Sequence, residues 1–130
     1  MSDPTQLIVV DAANVIGANA DGWWRDRAGA ARRLLSSIAD LTTRLPASTA
    51  VTVVLEGAAK AAADGAEPTA PRLTVVLADR SGDDKIVDVV AGATGYDRVT
   101  VVTADRELRR RADAYGADSV GPHWLLRQFG

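Results

Sequence analysis

Short valine-rich apolar runs recur along this chain, each separated from the next by a stretch with a helix period or with turn residues, and that alternation fixes the class of fold. The runs are Leu7 to Val10, Val51 to Leu55, Leu73 to Leu77 and Val99 to Val102. They are continuously apolar rather than alternating, the signature of strands buried on both faces of a parallel sheet. Between the first two, a helix is predicted from about Asp26 to Arg44. Its Ala31, Leu34, Leu35, Ile38, Leu41 and Leu45 form one apolar stripe, and Pro46 ends it. Ser81-Gly82-Asp83-Asp84 opens a second helix that carries Ile86, Val87, Val90 and Ala91 and closes at Gly95. A third runs from Asp105 to about Tyr115, with Gly116 as its cap. Ser119-Val120 reads as a short fifth strand, and Pro122 starts a last helical piece. The residues after Asp11, with Asn14, Gly17, Asn19 and Gly22, read as a loop. Ala58 to Arg72, broken by Gly65, Pro68 and Pro71, reads as a mobile loop with room for one helical turn. Strands alternating with helices mean an α/β fold: a parallel sheet of about five strands with helices on both faces.

The 130 residues suit one domain, 1–130, and 47% hydrophobic residues suffice for its core. There is no cysteine, which excludes disulfides, thiol catalysis and cysteine zinc sites. A single histidine, His123, argues against a histidine-rich metal site or a Ser-His-Asp triad. No apolar run is long enough to span a membrane, and Met1-Ser2-Asp3-Pro4 lacks the basic region of a signal peptide, so the cytoplasm is the default location. The net charge of −2 argues against a general nucleic-acid coat. Among the 15 basic residues only Lys60 and Lys85 are lysine, and arginine's planar fork suits phosphate oxygens.

Acids stand where the strands end. Asp11 closes the first strand, Glu56 follows the second, Asp83 and Asp84 open the helix after the third, and Asp105 lies just beyond the fourth. Parallel strands present all their carboxyl ends on one edge, where ligands of such sheets bind. Crowded carboxylates repel one another and must take up protons or a cation. Oxygen ligands without histidine or cysteine favour Mg²⁺ or Mn²⁺. A cation there can polarise a phosphoryl oxygen and acidify water, the chemistry of phosphodiester hydrolysis.

Each acid also has a purely structural reading. Asp11 can satisfy loop amides, and Asp105 can cap a helix. Asp83 and Asp84 favour the dipole of a first helical turn, where Ser81 and Asp84 resemble a capping box. Glu56 can be an exposed strand-end glutamate. What favours the functional reading is the common edge. Nearby, Gly22-Trp23-Trp24-Arg25-Asp26-Arg27 sets aromatics among arginines, a pattern that stacks bases and grips phosphates, although one tryptophan is expected to pack on the helix. Arg106 is placed to steer phosphate, whereas Arg109, Arg110 and Arg111 read as a solvated face and Lys85 as helix surface. His123, beside Trp124, reads as structural.

Taken together these segments resemble the NYN domains of the PIN-like nuclease superfamily. Val10-Asp11-Ala12-Ala13-Asn14-Val15-Ile16 is similar to their opening motif. Leu55-Glu56-Gly57 is similar to the acidic close of strand two, with glutamate where aspartate is usual. Gly82-Asp83-Asp84-Lys85-Ile86 is similar to the acidic helix start, and Val101 to Leu108, with Thr103-Ala104-Asp105, to the later strand and its turn. The motifs come in family order and span nearly the whole chain. The resemblance implies a three-layer Rossmann-like fold of strand order 3-2-1-4-5 and a metal-dependent ribonuclease. It carries over Asp11, Asn14, Asp83 or Asp84, and Asp105, with Thr103 orienting Asp105 or a water. The expected catalytic residues are then Asp11, Asp83, Asp84 and Asp105. Asp11, Glu56, Asp84 and Asp105 are the expected ligands of Mg²⁺ or Mn²⁺. Asn14, Thr103, Arg106 and Arg25 are expected to meet substrate.

RNA is the expected partner, a membrane is not, and a homodimer stays open. A haloacid-dehalogenase phosphatase would need a second Asp where Ala13 stands. Receiver, P-loop, dinucleotide-binding and Toprim patterns are absent. The remaining alternative is a non-catalytic RNA-binding or scaffold domain on the same fold.

Overall fold

In the computed structural model, which describes residues 4–19 and 22–129, β1 (Gln6–Asp11) lies at the centre of the sheet. It pairs on one side with β2 (Thr49–Leu55) and on the other with β4 (Arg98–Val102). β3 (Leu73–Leu77) flanks β2 and β5 (Asp118–Val120) flanks β4, so the order is 3-2-1-4-5 and every pair is parallel. Burial follows position. All of β2 is buried, whereas the edge strand β3 is half-exposed. The register aligns Val10 with Val102 and Asp11 with Val54, so Asp11 and Thr103 emerge at the same level of the carboxyl edge, with Glu56 two residues further along its strand.

The strand period of two divides the core into two layers. Ile8, Val10, Val51, Val53 and Leu55 face α2 (Arg27–Thr42) and α5 (Pro122–Gln128), and α2 buries the predicted stripe of Ala31, Leu34, Leu35, Ile38 and Leu41. Leu7, Val9, Ala50, Val54 and Val101 face α3 (Gly82–Gly92) and α4 (Arg106–Asp113), through Ile86, Val87, Val90, Leu108 and Ala112. Truncating a fully buried residue such as Leu35 or Ile38 to alanine would cost roughly 2–5 kcal/mol.

Three local expectations need correction. The segment after Asp11 is not a loop but a short helix, α1 (Ala12–Gly17). The Asp11 carboxylate accepts the Asn14 backbone N–H as an N-cap, and Ala12, Val15 and Ile16 are buried at helical spacing. The stretch read as a loop with room for one helical turn holds a 3-10 helix of six residues, Gly57–Ala62, which buries Ala59 and Ala62 against α2. Beyond it, Asp64 pairs with Arg32 at 2.6 Å. Arg72, at a positive φ of 66°, donates to the carbonyls of Thr42, Pro46 and Thr49. Helix α3 ends at Gly92, three residues before Gly95, and α4 ends at Asp113. Gly116 takes the left-handed conformation after α4, φ 83°, letting the Ala117 N–H return to the Ala112 carbonyl. The stretch Met1-Ser2-Asp3 lies outside the described residues. Among the described residues no helix is long and apolar enough to cross a membrane.

Candidate active site

Asp11 is the last residue of β1 and 5% exposed. Its Oδ2 accepts the Thr103 hydroxyl at 2.9 Å and its Oδ1 the Asn14 N–H at 3.4 Å. Burial pushes its pKa up to about 6, and the charges of Asp83 and Glu56 add to that push against the two hydrogen bonds. Thr103, fully buried at the end of β4, donates to Asp11 and accepts the Asp105 N–H at 3.1 Å. One hydroxyl therefore sets Asp11 and Asp105 relative to each other. Asp105 in turn caps α4 through the Leu108 N–H. The Asn14 side-chain oxygen accepts the Ala104 N–H at 2.8 Å and fastens α1 to the turn between β4 and α4.

Glu56 follows β2, and its Oε2 accepts the Gly82 N–H at 2.7 Å. A Cβ at Gly82 would lie 2.9 Å from the Glu56 carboxyl carbon, so a larger residue there would displace the end of the Glu56 side chain. This contact draws the start of α3 to the carboxyl edge. Asp83, half-buried there, has its pKa raised by burial and by the charges of Asp105 and Glu56. Asp84 is exposed and pairs with Arg111 of α4 at 2.9 Å. The Arg111 hydrogen bond, with Ser81, holds its carboxyl below the usual range.

The charges of Asp83 and Glu56 thus act on Asp11, and those of Asp105, Glu56 and Asp84 on Asp83, while Asp84 itself pairs with Arg111. Thr103 is fully buried, and its hydroxyl links the Asp11 carboxylate to the Asp105 backbone. Arg106 is exposed at the start of α4. Arg25 is exposed in the 3-10 turn Trp23–Arg25, its guanidinium 5.8 Å from the centre of the Trp24 ring. Capping and clustering coexist, since Asp11 and Asp105 both cap helices. Among the described residues no three carboxylates or histidines stand close enough together to hold one ion as they are.

Two grooves flank α1 at this edge. One, of about 360 Å³, is lined by Ala13, Ile16, Trp23, Arg27, Glu56 and Arg80 among others; the other, of about 410 Å³, by Ala13, Asn14, Ala104 and His123 among others. Arg27, Arg80 and His123 were not expected here. Arg80 lies between β3 and α3, so the strand-end rule that found the acids would have found it if applied to cations. His123 is exposed on the second groove.

A parallel sheet ordered 3-2-1-4-5, with carboxylates at the ends of β1 and β2 and the starts of α3 and α4, defines an α/β domain with acids on its carboxyl edge. A family model described as the YacP-like NYN domain matches residues 8–130, and the chain belongs to that family. A crystal structure of a point mutant of Rae1 (YacP) from Bacillus subtilis is similar, with a TM-score of 0.70 at 19% sequence identity. The match covers 95% of this chain and 73% of that one, and establishes the fold. No curated protein matches the chain.

Proposed function

We propose that this protein is a metal-dependent ribonuclease hydrolysing RNA phosphodiester bonds at the carboxylate edge, with Mg²⁺ or Mn²⁺ held by Asp11, Glu56, Asp83 and Asp105. Asp83 replaces Asp84 in that set, because Asp84 already pairs with Arg111. The observation that carries the reading is Asp11: a carboxylate 5% exposed, with no cationic partner in contact among the described residues and two acids acting on it. Such a charge favours neutralisation, and an all-oxygen donor set suits a hard divalent cation. When bound, the cation supplies charge neutralisation at the phosphate and a more acidic water. The chain's own groups set the geometry. Thr103 fixes the Asp11 carboxylate, Glu56 fixes the start of α3, and Arg25 and Arg106 attract the phosphates of the substrate.

The test is RNA cleavage and thermal unfolding, each with Mn²⁺ and with EDTA. Mn²⁺ at a hundredfold excess over its Kd should stabilise the fold by about 2.7 kcal/mol. Asp11→Asn should remove that stabilisation and lower cleavage by about a hundredfold or more. Cleavage that persists in EDTA and in Asp11→Asn would overturn the reading.

A second reading is a non-catalytic RNA-binding domain on the same fold. It is favoured by the absence, among the described residues, of three carboxylates close enough to hold an ion. RNA binding with neither cleavage nor a Mn²⁺-dependent rise in Tm would select it.

A further inference from the structure

We infer that the groove between α1 and the 3-10 helix Gly57–Ala62 binds one unpaired nucleotide of a single-stranded RNA, its base against the Trp23–Arg27 pair and a phosphate at Arg80. The inference rests on the reading of the neighbouring edge as a site that acts on RNA. At about 360 Å³ the groove falls in the range of small-molecule sites. Its lining is apolar at Ile16, Ala59 and Trp23, cationic at Arg27 and Arg80, and ends at Glu56. It is therefore continuous with the carboxylates: Glu56 belongs to both, and Ala13 is two residues from Asp11.

The two sides of the Trp23 indole explain why a base is the occupant. Trp23 packs against the core and meets Trp24 edge-on at 6.1 Å, so its ring is fixed in place. The Arg27 guanidinium lies 5.4 Å from its centre. Aromatic and guanidinium planes are the surfaces on which unstacked bases settle, and packing on the core already orders the Trp23 ring. Among the described residues neither Arg27 nor Arg80 is in an ion pair, whereas Arg32, Arg98, Arg110 and Arg111 are. Cations left unpaired beside an apolar wall match a ligand that is flat and apolar at one end and anionic at the other. A base inside a duplex is stacked and paired, so a single strand fits and a duplex does not.

The test is intrinsic tryptophan fluorescence of the full chain in EDTA, titrated with a short single-stranded oligoribonucleotide and with the same sequence as a duplex. The single strand should quench the wild type and Trp24→Leu but not Trp23→Leu. The double variant Arg27→Ala, Arg80→Ala should bind about tenfold more weakly or worse. Trp23 also packs on the core; if Trp23→Leu unfolds, the exposed arginines carry the test. Duplex binding as tight as single-strand binding, or unchanged affinity in the arginine variant at low salt, would overturn the groove assignment. Cleavage by the wild type with an unchanged KM in the arginine variant would sink the groove and leave the ribonuclease standing. Trp23 quenching without any cleavage in Mn²⁺ would do the reverse.

Discussion

Asp11 sits where its own charge is opposed. The carboxyl titrates near 6 in the folded chain because burial disfavours the ion, while the unfolded chain titrates near 3.8. Between those values the folded state holds more protons than the unfolded one, so stability falls as pH rises through the window. Above it the penalty is complete, at most about 3 kcal/mol. In EDTA, unfolding followed from pH 4 to pH 7 should therefore show a loss of stability that is absent in Asp11→Asn. The difference between the two proteins is the readout, because carboxyls held low, such as that of Asp84, contribute with the opposite sign. A difference that does not change across the window would mean that Asp11 is ionised without cost. Thr103 limits that cost: its hydroxyl favours the charged form.

At the scale of elements, the start of α3 sets its two adjacent aspartates apart. Consecutive helical residues point about 100° apart, so Asp83 and Asp84 do not share a direction. The Glu56 contact with Gly82 brings the helix end in, Asp83 joins the coupled acids, and Asp84 ties α3 to α4 through Arg111. Asp83→Asn should cut single-turnover cleavage by about a hundredfold and leave RNA affinity equal or higher, since one negative charge fewer faces the phosphate. Asp84→Asn should leave turnover within a few-fold of wild type. Cleavage assays on the two variants check this, and a larger loss in Asp84→Asn would reverse the assignment.

Over the whole molecule, the net charge of −2 predicts no diffuse attraction for nucleic acid. Attraction must come from cations left free near the site. Arg25, Arg27, Arg80 and Arg106 are exposed and in no ion pair among the described residues. At about 0.7 counterions released per phosphate contact on a single strand, they predict that log K falls with log salt with a slope of about −3. Affinity measured at several salt concentrations reads this slope directly. A slope steeper than about −6 would mean that RNA spreads over far more of the surface than this edge.

Several features were settled by the sequence alone, because they depend on neighbours in the chain. Continuous apolar runs specify buried strands, their alternation with amphipathic helices specifies a parallel sheet, and residues just past each run must then lie on one edge. That reasoning put Asp11, Glu56, Asp83, Asp84 and Asp105 on one edge without coordinates, and named Asp84 rather than Asp83 as a metal ligand. It mistook α1 for a loop, because Asn14 and Gly17 read as breakers while the cap from Asp11 was invisible. The rest depended on contacts between distant residues. The hydroxyl that holds Asp11 comes from Thr103, 92 positions away, and the amide that holds Glu56 from Gly82, 26 away. Which of two adjacent aspartates turns inward, and which arginines stay free beside Trp23, follow from how α3, α4 and α1 dock on the sheet. Periodicity in a sequence records which face of an element is apolar. The partner of each polar atom is chosen only when the elements pack.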